Sequence, residues 1–129
     1  MRKVFRNKDG DLIGDPIAYS LEILSKNKGA KIYVGADSQK RRKSIEFAVV
    51  IAYRYGKRGV HYIYHRWKEL RKEYPYRGDD LVVKRLTDEI HASIEIAGLL
   101  RENSINVYQI DLDLNGNPKW KSNRLTSFL

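Results

Sequence analysis

The segment at residues 45–53 constrains the fold more than any other, because almost every residue in it is apolar. Glu46 is its only charged residue before Arg54. A strand that is apolar on both sides is typical of a central position in a sheet that is covered on both faces. Turn-forming segments at residues 40–43 and 56–59 flank it, so this strand is predicted to lie between two antiparallel neighbours.

The flanking strands are predicted over residues 31–37 and 60–66, and a fourth strand over residues 105–113. A long helix, capped by Asp79 and Asp80, is predicted to run to about Arg101 and to carry the chain back across the sheet. Such a crossover delivers the fourth strand parallel to the first. If the fourth strand docks beside the first, the order is 3-2-1-4 in a mixed α/β sheet.

The first 14 residues look like a polar lead-in with a turn at residues 8–11. Asp15 and Pro16 then predict the start of a helix that ends at residues 27–29. The third strand alternates weakly, which suits an edge strand, and residues 67–78 favour no particular element.

The charge of the chain favours an anionic partner. It has 25 Lys and Arg against 16 Asp and Glu, a net charge of +9. Nucleic acid is the commonest partner of such a chain, although a basic surface that only keeps the protein soluble is the alternative. The 129 residues predict one domain, and the lack of cysteine excludes disulfides, zinc–thiolate sites and cysteine nucleophiles. No apolar run suits a membrane span and no secretory leader is recognisable, so a cytoplasmic location is expected.

Two aspartates follow apolar strands. Asp37 ends the first strand and Asp113 the fourth, and the carboxyl ends of parallel strands meet at one edge of a sheet. Burying carboxylates there is costly unless a positive charge pairs with them. In a basic chain, this arrangement suggests a divalent metal beside a polyanion. The alternatives are turn formation by Asp37 and an Asx-type turn at Asp113.

The long helix carries two glutamates that occupy different positions relative to its apolar stripe. Its predicted apolar stripe consists of Val83, Leu86, Ile90, Ile94 and Ala97. Glu89 falls at the margin of that stripe, and Glu95 nearly opposite it, in solvent. Glu89 could therefore reach the sheet edge, or it could be a boundary residue paired with Arg85 one turn earlier.

Together these patterns resemble the ribonuclease H-like fold, and more narrowly the YkuK-like family of predicted ribonuclease H-like proteins. The matching segments are VGADSQ at residues 34–39, RLTDEI at 85–90, SIEIA at 93–97, DLDLN at 111–115 and NPKWKSN at 117–123. The resemblance implies that Asp37, Glu89 and Asp113 hold Mg²⁺ or Mn²⁺ against a scissile phosphate. Asp111 has the same side-chain parity as Asp113 and is the reserve ligand.

Several residues near the acids are predicted to contact nucleic acid. Ser38 and Gln39 could touch the substrate backbone. The basic residues at this edge are Lys40, Arg41, Arg42, Lys43, Lys119 and Lys121. They could position phosphates without reading bases, or could simply be charged turns that prevent aggregation.

The remaining histidines and aromatic residues are interpreted as structural. His61, His65 and His91 show no ligand spacing with one another, and His61 and His65 are expected at the surface or the sheet edge. The aromatic residues expected to pack within the fold are Tyr53, Tyr55, Tyr62, Tyr64 and Trp67.

Relatives of this fold usually continue through another strand and a helix that brings a fourth carboxylate, whereas this sequence stops at Leu129. The expectation is a C-terminally shortened domain whose uncovered sheet face self-associates or is covered by the first helix. The predicted function is a metal-dependent nuclease acting on DNA, RNA or a hybrid. The alternatives are a nucleic-acid-binding protein with an incomplete site and an oligomerising domain.

Overall fold

A computed structural model describes residues 3–57 and 59–111, which form a mixed sheet with two α-helices. The elements in chain order are β1 (Phe5–Asn7), β2 (Leu12–Ile13), α1 (Pro16–Lys26), β3 (Lys31–Lys40), β4 (Ser44–Arg54), β5 (Val60–Leu70), a 3-10 turn (Arg71–Glu73), α2 (Gly78–Glu102) and β6 (Val107–Asp111). The strands lie in the order β2-β1-β5-β4-β3-β6. The mixed α/β class predicted from the sequence is confirmed.

Strand β4 lies inside the sheet, as its apolar sequence predicts. It pairs antiparallel with β3 on one side and with β5 on the other, nearly from end to end. Strand β6 lies beyond β3 and runs parallel to it, because α2 returns the chain across the sheet. The predicted strands one to four correspond to β3, β4, β5 and β6 and are neighbours in that 3-2-1-4 order. Strands β3 and β5 are longer than predicted, ending at Lys40 and Leu70.

The N-terminal segment forms a hairpin, so its prediction as a lead-in is wrong. The side-chain oxygen of Asn7 accepts hydrogen bonds from the backbone N–H groups of Asp9 and Asp11, both at 3.0 Å, and so organises the turn. Phe5 buries its ring in the core at 1% exposure. Strand β1 pairs with β5, which removes β5 from the sheet edge and corrects the expectation of an edge strand there.

Both helices pack on one face of the sheet, called here the helix face. Its core contains Ile32, Val34, Ala36, Val49, Ile51, Tyr53 and Ile63 from the strands, Ile17, Tyr19, Ile23 and Leu24 from α1, and Ala92, Ile96, Ala97 and Leu100 from α2. Side chains alternate along a strand, so the opposite face, called here the far face, carries Tyr33, Val50, Ala52, Tyr62 and Tyr64. Among the described residues, β4 is therefore covered by helices on one face and by tyrosines on the other. Helix α1 covers part of the helix face and not the far face.

Helix α2 presents a different side to the sheet than its apolar pattern predicts. Val83 and Ile94, both in the predicted stripe, are 62% and 51% exposed. The buried residues of α2 are Leu81, Glu89, Ala92, Ser93, Ile96, Ala97 and Leu100. This side is rich in small residues, which allow the helix to approach the sheet closely. Glu89 therefore lies within the buried face and not at its margin, whereas Glu95 is exposed as predicted.

The two helices begin in different ways. In α1, the Asp15 side chain accepts a hydrogen bond from the backbone N–H of Ile17 at 2.9 Å, which confirms the predicted cap. Helix α2 begins at Gly78, and Asp79 and Asp80 lie in its first turn. They are not the cap that the sequence predicts, but there they interact favourably with the helix dipole. Neither described helix is long and apolar enough to cross a lipid bilayer.

Candidate functional site

The candidate site lies at the carboxyl end of β3, where α2 crosses the helix face. In the parallel pair of β3 and β6, Gly35 lies opposite Asp111. Asp37 and Ser38 therefore come two and three residues further along β3 than the last described position of β6. Strand β3 thus extends past the described part of β6, and Asp37 and Asp111 lie near the same end of the parallel pair.

Ser38 joins β3 to α2 through hydrogen bonds to two charged residues. Its hydroxyl donates to the Glu89 carboxylate and accepts from Nε of Arg85 at 2.9 Å. A second guanidinium nitrogen of Arg85 donates to the backbone carbonyl oxygen of Ser38 at 2.8 Å. Ser38 and Glu89 are only 6% and 3% exposed. These bonds therefore stabilise polar groups that would be expensive to bury alone.

Arg85 supplies positive charge at this end of β3. Burial lowers the pKa of its guanidinium, and the negative charge of Asp37 opposes that shift. Asp37 therefore lies within electrostatic reach of Arg85. The sequence pattern predicts Arg85 only as an ion-pair partner of Glu89. In the structure both residues instead meet at Ser38, and the arginine partly compensates the acids of the site.

Asp37 is half-buried, and alternation along β3 directs its side chain to the far face, opposite to Ser38. One of its carboxylate oxygens accepts a hydrogen bond from the backbone N–H of Ser38 at 2.8 Å. Asp37 pairs with Ala48 of β4, which pairs with Arg66 of β5. These residues form one row across three strands, with the small Ala48 side chain between the carboxylate and the guanidinium.

A groove of about 480 Å³ opens at this row. Its polar lining includes Asp37, Gln39, Arg41, Glu46, Arg66 and Lys68. Arg41 is held within the groove, since it donates to Glu46 at 3.0 Å and to Gln39 at 2.6 Å. Arg66 and Lys68 are exposed and form no ion pair with any residue in the described part of the chain. The groove therefore combines acidic groups with cations that are available to an anionic ligand.

The predicted nucleic-acid contacts lie in different surroundings. Gln39 and Arg41 line the groove, and Lys40, Arg42 and Lys43 are exposed around the β3–β4 turn. Ser38 is buried and its hydroxyl is used within the protein. The other two predicted contacts, Lys119 and Lys121, lie outside the described residues.

The metal ligands predicted from the sequence are only partly described. Asp37, Glu89 and Asp111 offer carboxylate oxygens, the ligand type that Mg²⁺ and Mn²⁺ prefer, so their chemistry fits such an ion. Within residues 3–57 and 59–111, however, no three acidic or histidine side chains are grouped closely enough to hold a metal. Asp113, the remaining ligand, lies outside the described residues. The metal site therefore stays a prediction.

Two cations of the groove were missed by the sequence analysis, which assigned basic contacts only to turns. Arg66 and Lys68 lie within β5 and face the groove at alternate positions. The signal was present in the sequence, because Tyr62, Tyr64, Arg66 and Lys68 share one parity. This shared parity indicates a binding face only once it is known that β5 continues to Leu70 and that the helices cover its other face.

Comparison with known proteins gives one match. A protein-family model described as Ribonuclease H-like matches residues 19–124. This span includes all of β3, β4, β5, α2 and β6, and therefore every described residue of the candidate site. No curated protein and no solved structure matches the chain.

Proposed function

We propose a nuclease function for this chain, which belongs to the ribonuclease H-like family. In this proposal the protein hydrolyses phosphodiester bonds of nucleic acid with the help of Mg²⁺ or Mn²⁺. Asp37, Glu89 and Asp113 are the catalytic carboxylates and metal ligands, and Asp111 is an additional ligand. The net charge of +9 supports a polyanionic substrate.

The observation that carries the proposal is the hydrogen bonding of Ser38 to both Glu89 and Arg85. A glutamate that is 3% exposed is costly in a fold unless it has a task or a strong partner. Here it is bonded to the residue that directly follows Asp37. The bond fixes the Glu89 carboxylate on the helix face at the carboxyl end of β3. Alternation directs the Asp37 side chain to the far face at the same end, so the proposal requires both carboxylates to reach one metal ion around the edge of β3.

The residues of the chain would have the following roles in the reaction. The carboxylates hold the metal ion, which when bound supplies a Lewis acid for the phosphate and a nucleophilic water near neutral pH. Arg85 compensates negative charge at the end of β3 and is held in place by Ser38. Gln39, Arg66 and Lys68 line the groove beside Asp37 and position the phosphate backbone.

The test is cleavage of labelled DNA, RNA and hybrid substrates with Mg²⁺ or Mn²⁺. We expect the wild-type protein to cut at least one of them, and Asp37→Asn, Glu89→Gln and Asp113→Asn to lose the activity by about 100-fold or more. Glu95→Gln is the matched control, because Glu95 lies on the same helix but is exposed. It should cut as the wild type does. Equal activity in Asp37→Asn and the wild type would contradict the proposal.

A second candidate function is nucleic-acid binding without cleavage. Arg85 favours it, since a half-buried guanidinium within electrostatic reach of Asp37 already compensates the acids without a metal ion. This candidate predicts salt-sensitive binding of nucleic acid, no cleavage, and no rise of the melting temperature with Mn²⁺. A rise with Mn²⁺ in the wild type that Asp37→Asn lacks would favour the nuclease.

Two further properties stay predictions from the sequence. A cytoplasmic location agrees with the absence of cysteine, which permits a reducing compartment. Self-association is to be tested by size-exclusion chromatography with light scattering.

A further inference from the structure

Part of the far face carries both aromatic rings and cations. We call it the basic-aromatic strip, and it consists of Arg54, Tyr62, Tyr64, Arg66 and Lys68. We propose that this strip binds a single-stranded segment of nucleic acid, stacking bases on its two tyrosines and holding phosphates with its three cations. The inference rests on the proposed function for the class of substrate, and it adds a binding surface on the opposite side of the sheet from Glu89.

The register of β4 and β5 raises the tyrosine rings above small neighbours. Tyr62 lies opposite Ala52 and Tyr64 opposite Val50, and the two ring centroids are 6.2 Å apart. Both rings are half-buried, so each leaves part of its surface to solvent. The sequence analysis expected both tyrosines to pack within the fold. The structure instead separates them from Tyr53, which is on the helix face and fully buried. A row of partly exposed rings is the arrangement on which unpaired bases stack.

The cations of the strip form no ion pair with the described residues. Arg54, Arg66 and Lys68 are exposed, and no ion pair joins them to another residue within 3–57 or 59–111. The Arg66 guanidinium lies 4.8 Å from the centroid of the Tyr64 ring. Clustered positive charges raise the local potential and attract an anion. The strip therefore offers both parts of a single-strand site, rings for bases and cations for phosphates.

Charge also argues against the other occupants of this face. A second copy of the chain would bring the same cations against themselves. Residues 112–129 are also basic in sequence, with Lys119, Lys121 and Arg124 against the single acid Asp113. A polyanion complements the strip, whereas both of these occupants repel it. A duplex is disfavoured because its bases are already stacked on one another and offer no free faces to the tyrosines.

The strip leads to the candidate site. Arg66 lies in the row that contains Ala48 and Asp37, and both Arg66 and Lys68 line the groove there. From Tyr62 to Arg66 the strand advances roughly 13 Å, at about 3.3 Å per residue. A strand bound along the tyrosines would therefore reach Asp37 through the groove, so the strip would bind the segment next to the bond that is cut.

The test is the affinity of the full chain for a fluorescently labelled oligothymidylate, measured in EDTA so that no metal-dependent cleavage occurs. We expect the double variant Tyr62→Leu, Tyr64→Leu to bind about 10-fold more weakly or worse, and Tyr62→Phe, Tyr64→Phe to bind within about twofold of the wild type, because phenylalanine keeps the ring. Tyr76→Leu is the matched control, an exposed tyrosine outside the strip. It should bind as the wild type does.

A second variant tests the strip independently, in case the leucine variant does not fold. The triple variant Arg54→Gln, Arg66→Gln, Lys68→Gln changes only exposed residues and is expected to weaken binding at least 10-fold at low salt. Its control, Lys28→Gln, removes an exposed cation from the loop after α1 and should leave binding unchanged. A duplex of the same length should bind more weakly than the single strand.

The outcomes separate this inference from the nuclease proposal. If the wild type does not bind the single strand, or the leucine and glutamine variants bind it as well as the wild type, the inference is wrong, whatever Asp37→Asn does to cleavage. Loss of binding in both variants supports the inference even if no nucleic acid is cut. A change of oligomeric state in the leucine variant with unchanged binding would assign the strip to a second copy and overturn the inference.

Discussion

The Ser38 hydroxyl connects the two charged residues of α2 to β3, since it donates to Glu89 and accepts from Arg85. Alanine at this position would leave a buried carboxylate and a half-buried guanidinium each short of one partner. We expect Ser38→Ala to lower the free energy of unfolding by about 1–3 kcal/mol in urea denaturation. Ser25→Ala is the control, because its exposed hydroxyl only donates to the backbone carbonyl of Glu22, and it should change stability by less than about 0.5 kcal/mol. Equal losses in the two variants would contradict a special role for Ser38.

His61 should make the stability depend on pH. Burial lowers its pKa, the charge of Lys8 lowers it further, and Nε2 of the ring is hydrogen-bonded to the Tyr19 hydroxyl. His61 is therefore half-buried between β5 and α1. Because the pKa in the folded chain lies below the unfolded value of 6.5, the unfolded chain binds the proton more readily. Stability is therefore complete above about pH 7 and falls as the pH drops toward the folded value.

This pH dependence can be measured by thermal melts at about pH 7.5 and about pH 5. Acidification should lower the melting temperature of the wild type more than that of His61→Gln, because glutamine cannot take up the proton. His91→Gln is the control, because His91 is exposed on α2. It should follow the wild type, and an equal loss in all three proteins would exclude His61 as the source.

The chemistry of the site was easier to predict than its contacts. The sequence predicts Asp37 at the end of an apolar strand, whereas β3 continues past it to Lys40. The burial of Glu89 could not be predicted, because its hydrogen-bond partner Ser38 belongs to an element about fifty residues earlier in the chain. A short stretch of sequence shows which side chains can carry charge. It does not show which distant group will stabilise that charge.

At the scale of elements, α2 offers two isoleucines that test its orientation. Ile96 is 2% exposed and packs in the core, whereas Ile94, from the predicted stripe, is 51% exposed. We expect Ile96→Ala to lower the free energy of unfolding by about 2–5 kcal/mol, since it leaves a cavity. Ile94→Ala should cost less than about 0.5 kcal/mol. Chemical denaturation of both variants measures the difference. A larger loss of unfolding free energy in Ile94→Ala than in Ile96→Ala would indicate that the face predicted from the apolar pattern is the buried one.

The elements that sequence analysis missed have a common physical reason. Strands β1 and β2 contain three and two residues, too few for an alternating pattern to be recognised, and they are stabilised by pairing with β5 and by the Asn7 turn. The buried side of α2 was missed because it relies on Ala92, Ser93 and Ala97. Small residues contribute little to an apolar stripe, although they allow the closest packing. The long central strands carried enough signal to predict their order.

At the scale of the whole molecule, the net charge of +9 makes salt the natural probe of binding. The logarithm of the binding constant for a single strand should fall linearly with the logarithm of salt concentration, with a slope of about −0.7 for each phosphate neutralised. Removing both Arg66 and Lys68 should reduce the steepness by about 1.4, and Lys28→Gln should leave it unchanged. Fluorescence anisotropy titrations from low to moderate salt measure the slope. The same steepness in all three proteins would mean that the groove cations touch no phosphate.

The parallel pairing of β6 with β3 also bears on the order of assembly. Strands β3, β4 and β5 follow one another through short connections, so the meander can form from local contacts. The partners Gly35 and Asp111 are separated by more than half of the chain, and their pairing has to wait for the loop that contains α2 to close. Asp111 therefore comes beside β3 late. An emerging polypeptide carries Asp37 and Asp111 apart until the segment with α2 has been made, which spares the early chain the mutual repulsion of the two carboxylates.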